Sequence, residues 1–343
     1  MAPGFLFCAV EGCTSQVGPF VCTCRKLATC NLQLVTFPRM YSLSTCWNSH
    51  RHTDGRAMLR EARELGFEYV ELSHGTRISL VPGILEAVDA GEMKISTLHN
   101  FCPLPMGVNN SAPNLYKFSA EKDRERELAM RYTLKTLEFA ERVKASLVVL
   151  HMGCIEMKDY NDKLLDLVAA GQNDTPKYQM LCAEVDEKRE AKKEPWVERA
   201  YEFLRQLVPE AEKRGLRLGI ENREALEEIP LDSDFRFFFN EFTSPAVTYW
   251  HDTGHAQIKE NLGFISHVMQ VESLQSRLAG FHLHDVQLPG RDHCAPGTGC
   301  IDFAALKPFV RPDHIKVFEL SPRLSVEEVR AGVAHLKQLW GED

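Results

Sequence analysis

The chain has 343 residues, 44% of them apolar and 26% charged, which is enough to bury a large core in one or two domains. A formal charge of −8 and an isoelectric point near 5.9 argue against a protein whose main business is holding a nucleic-acid backbone. No apolar run reaches the length of a membrane span, and there is no internal repeat or low-complexity tract.

The first thirty-nine residues differ in character from the rest. They hold five of the eleven cysteines (Cys8, Cys13, Cys22, Cys24 and Cys30) and show no amphipathic period. Cys22-Thr-Cys24 is not a Cys-x-x-Cys pair, and no histidine pair follows at finger spacing, so a zinc reading is weak. A secretory signal is weak too, because no basic residue precedes Phe5-Leu6-Phe7 and no small-x-small site follows. Residues 1–39 are expected to be an extension that is disordered or not native. The remaining cysteines are scattered, the pattern of reduced thiols in a cytoplasmic protein.

From Met40 onward, short apolar runs alternate with helical patterns. The predicted strands are Tyr41–Cys46, Phe67–Leu72, Lys94–His99, Ser146–His151, Arg217–Glu221, Val247–His251, Gly280–His284 and Lys316–Leu320. The predicted helices are Gly55–Leu65, Val81–Ala90, Glu121–Val143, Trp196–Arg214, Phe235–Phe242, Leu262–Leu278, Phe303–Phe309 and Val326–Leu339. Glycines follow several of them, as at Gly66, Gly91 and Gly215. Strand–helix alternation implies parallel pairing through right-handed crossovers, and eight such units fit a closed α/β (β/α)8 TIM barrel. The first strand runs into Ser44-Thr45-Cys46-Trp47-Asn48, which lacks the glycine-rich turn of a dinucleotide-binding fold. Residues 40–343 therefore read as a single barrel domain. Its largest insertion, around 154–195, has two charged helical patterns, Lys158–Gly171 and Tyr178–Lys193. An insertion after the carboxyl end of a strand is expected at the catalytic mouth, as a lid or as part of a homo-oligomer contact.

Four consecutive predicted strands carry a potential metal ligand at their carboxyl ends: Glu221, Asp252, His282 and Glu319. Each has an ordinary explanation alone: a salt bridge from Glu221 to Arg223, a helix cap at Asp252, a core imidazole at His282. A carboxylate buried without a partner at Glu319 would cost several kcal/mol. Together they match what a divalent ion requires of oxygen and nitrogen donors. His99 and His151 close two upstream strands and should face the same mouth, with His74 a weaker candidate. His255 lies one turn after Asp252, and strand alternation turns His284 away from His282. His293 precedes Pro296-Gly297-Thr298-Gly299, a loop able to bring its ring to the mouth.

These residues make the chain similar to the xylose isomerase-like barrel superfamily, in its sugar phosphate isomerase/epimerase branch. The resemblance is carried by His99, His151, Glu221-Asn222-Arg223, Asp252-Thr253-Gly254-His255, His282-Leu283-His284-Asp285, His293 with Pro296-Gly297-Thr298-Gly299, and Glu319. It implies one divalent metal ion (Mn, Mg, Co or Zn) held by Glu221, Asp252, His282 and Glu319. It also implies His255 beside the metal, and His99 and His151 along the pocket of a small sugar or polyol. Endonuclease IV belongs to the same superfamily and holds three zinc ions on a similar constellation. Here Arg291 stands where that pattern has an aspartate two residues before His293, and a cation there opposes a third metal. Inosose dehydratase-like lyases are a further class with this barrel.

Carboxylates and a neutral imidazole can hold a metal that binds a ketose carbonyl and the adjacent hydroxyl together. Glu221 and Glu319 can then serve as the two catalytic acid/base groups, one removing a proton and the other returning one through an enediolate. Arg291 and Arg223 are candidates for a hydroxyl or phosphate contact.

Overall fold

The computed structural model describes residues 40–341, so the expectation for residues 1–39 lies outside the described residues. The strands are β1 Tyr41–Ser44, β2 Tyr69–Leu72, β3 Lys94–His99, β4 Leu147–Leu150, β5 Arg217–Glu221, β6 Val247–Asp252, β7 Leu278–Leu283, β8 Asp285–Gln287, β9 Arg291–Cys294 and β10 Ile315–Phe318. Eight close into a barrel in the order β1-β10-β7-β6-β5-β4-β3-β2, every pair parallel, while β8 and β9 form a separate antiparallel hairpin. The helices are α1 Gly55–Glu64, α2 Val81–Asp89, α3 Asp123–Arg142, α4 Asn161–Ala169, α5 Pro176–Lys192, α6 Glu194–Lys213, α7 Phe235–Glu241, α8 Thr253–Asn261, α9 His267–Leu274, α10 Phe303–Leu306 and α11 Val326–Trp340.

Strand alternation sorts the side chains into two layers. Leu147, Val149, Trp250, Ile315 and Val317 form a compact cluster distinct from the much larger core that includes Val148, Leu150, Tyr249 and Phe318. Successive residues thus face opposite sides, the period-2 geometry of a strand. The Trp250 indole needs room, and two glycines supply it. A Cβ at Gly280 would stand 2.5 Å from the indole, and one at Gly219 would stand 3.2 Å from the Trp250 Cβ. Trp250 thereby lies edge-on beneath the His282 ring, centroids 5.2 Å apart.

The structure corrects one predicted helix. The expected Leu262–Leu278 helix is present only as the shorter α9, and a helix the sequence did not announce, α8, precedes it and ends at Gly263 with φ +75. Phe264 N–H donates to Lys259 O and Gly263 N–H to Glu260 O, closing the end of α8. Sequence periodicity misses α8 because Thr253 through Lys259 are all buried, leaving no polar face. The β8–β9 hairpin is also absent from the sequence reading, its strands being short and polar.

The insertion contributes α4 and α5. Ile155 N–H donates to Glu227 O, and Tyr178 Oη to Leu262 O at 2.8 Å. Leu165 packs under Gly290, where a Cβ would meet it at 2.8 Å. The insertion therefore buttresses the loop after β5 and the β8–β9 hairpin. The six cysteines among the described residues are all unpaired.

Candidate metal centre at the mouth of the barrel

Glu221, Asp252, His282 and Glu319 converge as the strand ends imply. Their ligand atoms all lie within 4.8 Å of one another and all four residues are buried. His282 Nδ1 is 2.6 Å from Glu221 Oε1, 3.0 Å from Glu319 Oε2 and 3.7 Å from Asp252 Oδ2. Glu319 follows the last residue of β10 rather than lying within it.

The motifs around these ligands each have a mechanical reason. Asn222 staples β5 to β6, its Nδ2 donating to Asp252 O at 2.9 Å and its Oδ1 accepting from Asp252 N–H at 2.7 Å. Asp252 caps α8 by accepting from His255 N–H at 2.7 Å, so the cap and the ligand are the same carboxylate. Thr253 Oγ1 bonds the backbone of His282 and His284. Gly254 leaves room for the His284 ring, which a Cβ would approach to 2.0 Å. His284 Nε2 donates to Asp252 at 3.0 Å, and its Nδ1 accepts from His293 N–H at 2.9 Å. It therefore orients the ligand Asp252. Asp285 accepts from the amides of Val286, Gly297, Gly299 and Ile301, which folds the glycine loop under His293.

His99 and His151 also reach the centre and form a second group with Glu221, all within 4.8 Å. His151 Nδ1 engages Asn114 Oδ1 at 2.8 Å, and His99 Nδ1 engages Asn100 O at 2.9 Å. Their Nε2 atoms face Glu221 Oε2 at 2.8 and 3.8 Å respectively. His151 Nε2 is buried and has no hydrogen-bond partner despite that proximity. His74 joins at the edge, Nε2 3.9 Å from Glu319.

Other candidates land differently. His255 donates from Nδ1 to Asn222 O at 3.0 Å and groups with Glu224 and Asp292. Arg223 is buried and paired with Glu221 at 2.7 Å and Glu228 at 3.1 Å, so its guanidinium braces a ligand inside the protein. Arg291 is exposed at the rim, 3.4 Å from Gln287 Oε1, and the adjacent Asp292 turns towards His255 instead. His293 has φ +52, places Nδ1 2.9 Å from Asp292 and stacks on His284 at 4.3 Å. Arg291, His293 and Glu319 line one cavity of about 680 Å³ with His74, Asn110 and Arg323.

Sequence reasoning missed Glu71. It is fully buried on β2 with His282 Nε2 3.1 Å from its Oε2. The available signal was the one used for Glu319, a carboxylate inside an apolar strand, here Tyr-Val-Glu-Leu.

The electrostatics favour a cation. Burial opposes ionisation of Glu221, but Arg223 and His282 hold its carboxyl well below the usual range. Burial likewise opposes ionisation of Glu319, and His282 pulls its carboxyl well down. Burial would deprotonate His282, yet Glu319, Glu71 and Glu221 hold its pKa well above the ordinary imidazole value. Three convergent buried carboxylates, with the unpartnered His151 Nε2 beside them, fit a divalent ion.

Fold and site define a parallel (β/α)8 barrel with a carboxylate–imidazole centre at the carboxyl ends of its strands. The chain belongs to the xylose isomerase-like TIM barrel family, whose model matches residues 59–339. No curated protein sequence matches significantly. Among solved structures, a D-tagatose 3-epimerase-like protein is 18% identical, covering 88% of this chain and 97% of its own, with TM-score 0.62. The 3-keto-D-glucoside 4-epimerase of E. coli is 16% identical over 87% of this chain and 98% of its own, TM-score 0.62. D-Psicose 3-epimerase from Clostridium cellulolyticum H10 is 13% identical over 88% and 99%, TM-score 0.60. At these identities the likeness is one of fold.

Proposed function

We propose that this chain is a divalent-metal-dependent epimerase or aldose–ketose isomerase of a small sugar or sugar phosphate. The observation that carries the reading is the pair Glu221 and Glu319, both buried, both with carboxyls held well below the usual range, and 2.6 and 3.0 Å from His282 Nδ1. The sugar epimerases with this barrel support the same reaction class.

Glu221, Asp252, His282 and Glu319 would hold the ion, whether Mn²⁺, Mg²⁺, Co²⁺ or Zn²⁺. When bound, it polarises the substrate carbonyl and acidifies the neighbouring C–H. Glu221 and Glu319 leave strands separated by β6 and β7 around the barrel, so they address the substrate carbon from different directions. One takes a proton from the carbon and the other, initially protonated, delivers its own to the opposite face, which inverts that carbon; delivery to the adjacent carbon interconverts ketose and aldose. The Nε2 lone pairs of His99, His151 and His255 accept from sugar hydroxyls, because each Nδ1–H is already committed to a protein oxygen. Arg291 and His293 at the rim meet the far end of the substrate.

The test is a panel of ketoses, aldoses and their phosphates, assayed in D₂O with and without Mn²⁺, Mg²⁺, Co²⁺ and Zn²⁺. Metal-dependent interconversion with deuterium entering next to the carbonyl is expected. Silence across the panel with every ion removes the reading. A second reading, an endonuclease IV-like phosphodiesterase, draws on the two further groups His99–His151–Glu221 and Glu224–His255–Asp292. Nicking of abasic DNA by protein carrying three zinc ions per chain would establish it instead.

A further inference from the structure

We infer that Glu71 is a positioning residue that decides which nitrogen His282 turns towards the metal. The inference rests on the metal reading above. Three histidines of the centre share one arrangement: His99, His151 and His255 each commit Nδ1 to a protein oxygen, at 2.9, 2.8 and 3.0 Å. A carbonyl oxygen only accepts, so the proton sits on Nδ1 and the Nε2 lone pair faces the mouth. His282 is turned the other way. Its Nδ1 faces the ligand carboxylates of Glu221 and Glu319, and its Nε2 faces both oxygens of Glu71, at 3.2 and 3.1 Å.

A carboxylate also only accepts, so in the metal-free protein both His282 nitrogens meet acceptors and both carry protons; an ion would take the place of the Nδ1 proton, while Glu71 keeps the other on Nε2. The Glu71 carboxylate is itself held: Ser44 Oγ donates to Oε1 at 2.9 Å and Thr97 Oγ1 to Oε2 at 2.8 Å. Ser44, Glu71 and Thr97 are all fully buried. The ring cannot turn over freely, because Trp250 packs against it edge-on at 5.2 Å and His99 stacks on it at 5.8 Å. The imidazole stands between Glu71 and the other carboxylates, so Glu71 acts through His282. Without its charge, a neutral His282 ring is free to carry its proton on Nδ1, where it blocks ligation. Outer carboxylates of this kind orient a ligating histidine and raise its basicity, and their loss costs about 10- to 100-fold in metal affinity.

The experiment compares wild-type protein with Glu71→Gln, which keeps the volume and can still accept hydrogen bonds. Zn²⁺ and Mn²⁺ affinities are measured by competition with a chelating dye, and circular dichroism verifies the fold. An affinity loss of about 10- to 100-fold is expected. In ¹⁵N-histidine spectra of the Zn²⁺-loaded wild type, His282, assigned by its absence from His282→Asn, should carry its proton on Nε2. Thr97→Val keeps the charge but removes one of the hydroxyls that hold it; it should show a smaller loss in the same direction and serves if Glu71→Gln does not fold. Unchanged affinity in the folded variants, or a proton on Nδ1, overturns the inference and leaves the proposed function standing. A wild type that binds neither ion removes both.

Discussion

His251 and Asp252 are neighbours on β6 that face opposite ways, and each belongs to a buried polar cluster. Outside the barrel, Gln257 Nε2 donates to Glu260 and Asn261, which turns its oxygen to His267 Nδ1 at 3.2 Å. His267 Nε2 must then accept from His251 Nε2–H at 2.9 Å, and His251 Nδ1 from Tyr249 Oη at 2.8 Å. Every donor in that chain meets an acceptor, and both imidazoles stay neutral. Burial pushes His267 down to about 4, and burial with His267 beside it pushes His251 well below its ordinary value. Inside the barrel, Asp252 joins Glu221 and Glu319, whose charges exceed those of the cations facing them, next to an imidazole nitrogen with no partner. A buried cluster that closes on itself is architecture. One whose buried charge is left unbalanced has the chemistry to hold a cation.

The largest test of that contrast is at the glutamates. Glu221→Gln and Glu319→Gln should each lower turnover by about 10²- to 10⁴-fold while the ion is retained, since glutamine keeps an oxygen donor but carries no proton. Near wild-type turnover in either variant, with metal bound, would show that its glutamate is not an acid/base group. Elemental analysis of dialysed protein should find one divalent ion per chain, lost on acidification as His282 protonates. Full metal retention at low pH would remove His282 from the ligand set.

The outer cluster should respond in stability alone. The folded pKa of His267, near 4, lies below the ordinary 6.5, so between those values the unfolded chain binds the proton and the folded chain does not. Its contribution is complete above pH 6.5 and is lost as pH falls towards 4, up to about 3 kcal/mol. In metal-free protein His282 works in the opposite sense: its stabilising effect is present below its unfolded pKa and disappears as pH rises through its raised value. His267→Leu should flatten the acid-side decline of the melting temperature and cost about 1–3 kcal/mol through the stranded His251 and Gln257 groups. Metal affinity should be unchanged; a parallel loss would couple the two layers. The smallest effect is expected at the amino terminus. A chain starting at Met40 should melt and turn over like the full protein, because residues 1–39 offer no periodic face to pack, and a midpoint several degrees lower would contradict that.

Much of this was legible because the relevant signals are local in sequence. Apolar runs punctuated by helices and glycines anticipated all eight barrel strands, from Tyr41 to the end of β10, to within a few residues. A carboxylate or imidazole at the end of an apolar run marked Glu221, Asp252, His282 and Glu319, because burying such groups without a purpose is costly. The same rule would have marked Glu71, a lone carboxylate inside the apolar run of β2, where the histidine three residues on, His74, drew the attention instead. Buried helix α8 escaped because periodicity requires a polar face, and the hairpin β8–β9 because its strands are too short to show one.

The sequence by itself determined the alternation of strands and helices, and with it which side chains stand at strand ends, since both follow from residue order along one chain. Only the tertiary structure decided what meets what. It turned Arg223 inward against Glu221, left Arg291 at the rim and brought Asp292 to His255. It also set Glu71, 211 positions away in the chain, behind His282. Those pairings depend on barrel closure and the angle at which each loop leaves its strand, and neither quantity is written in any local window of residues.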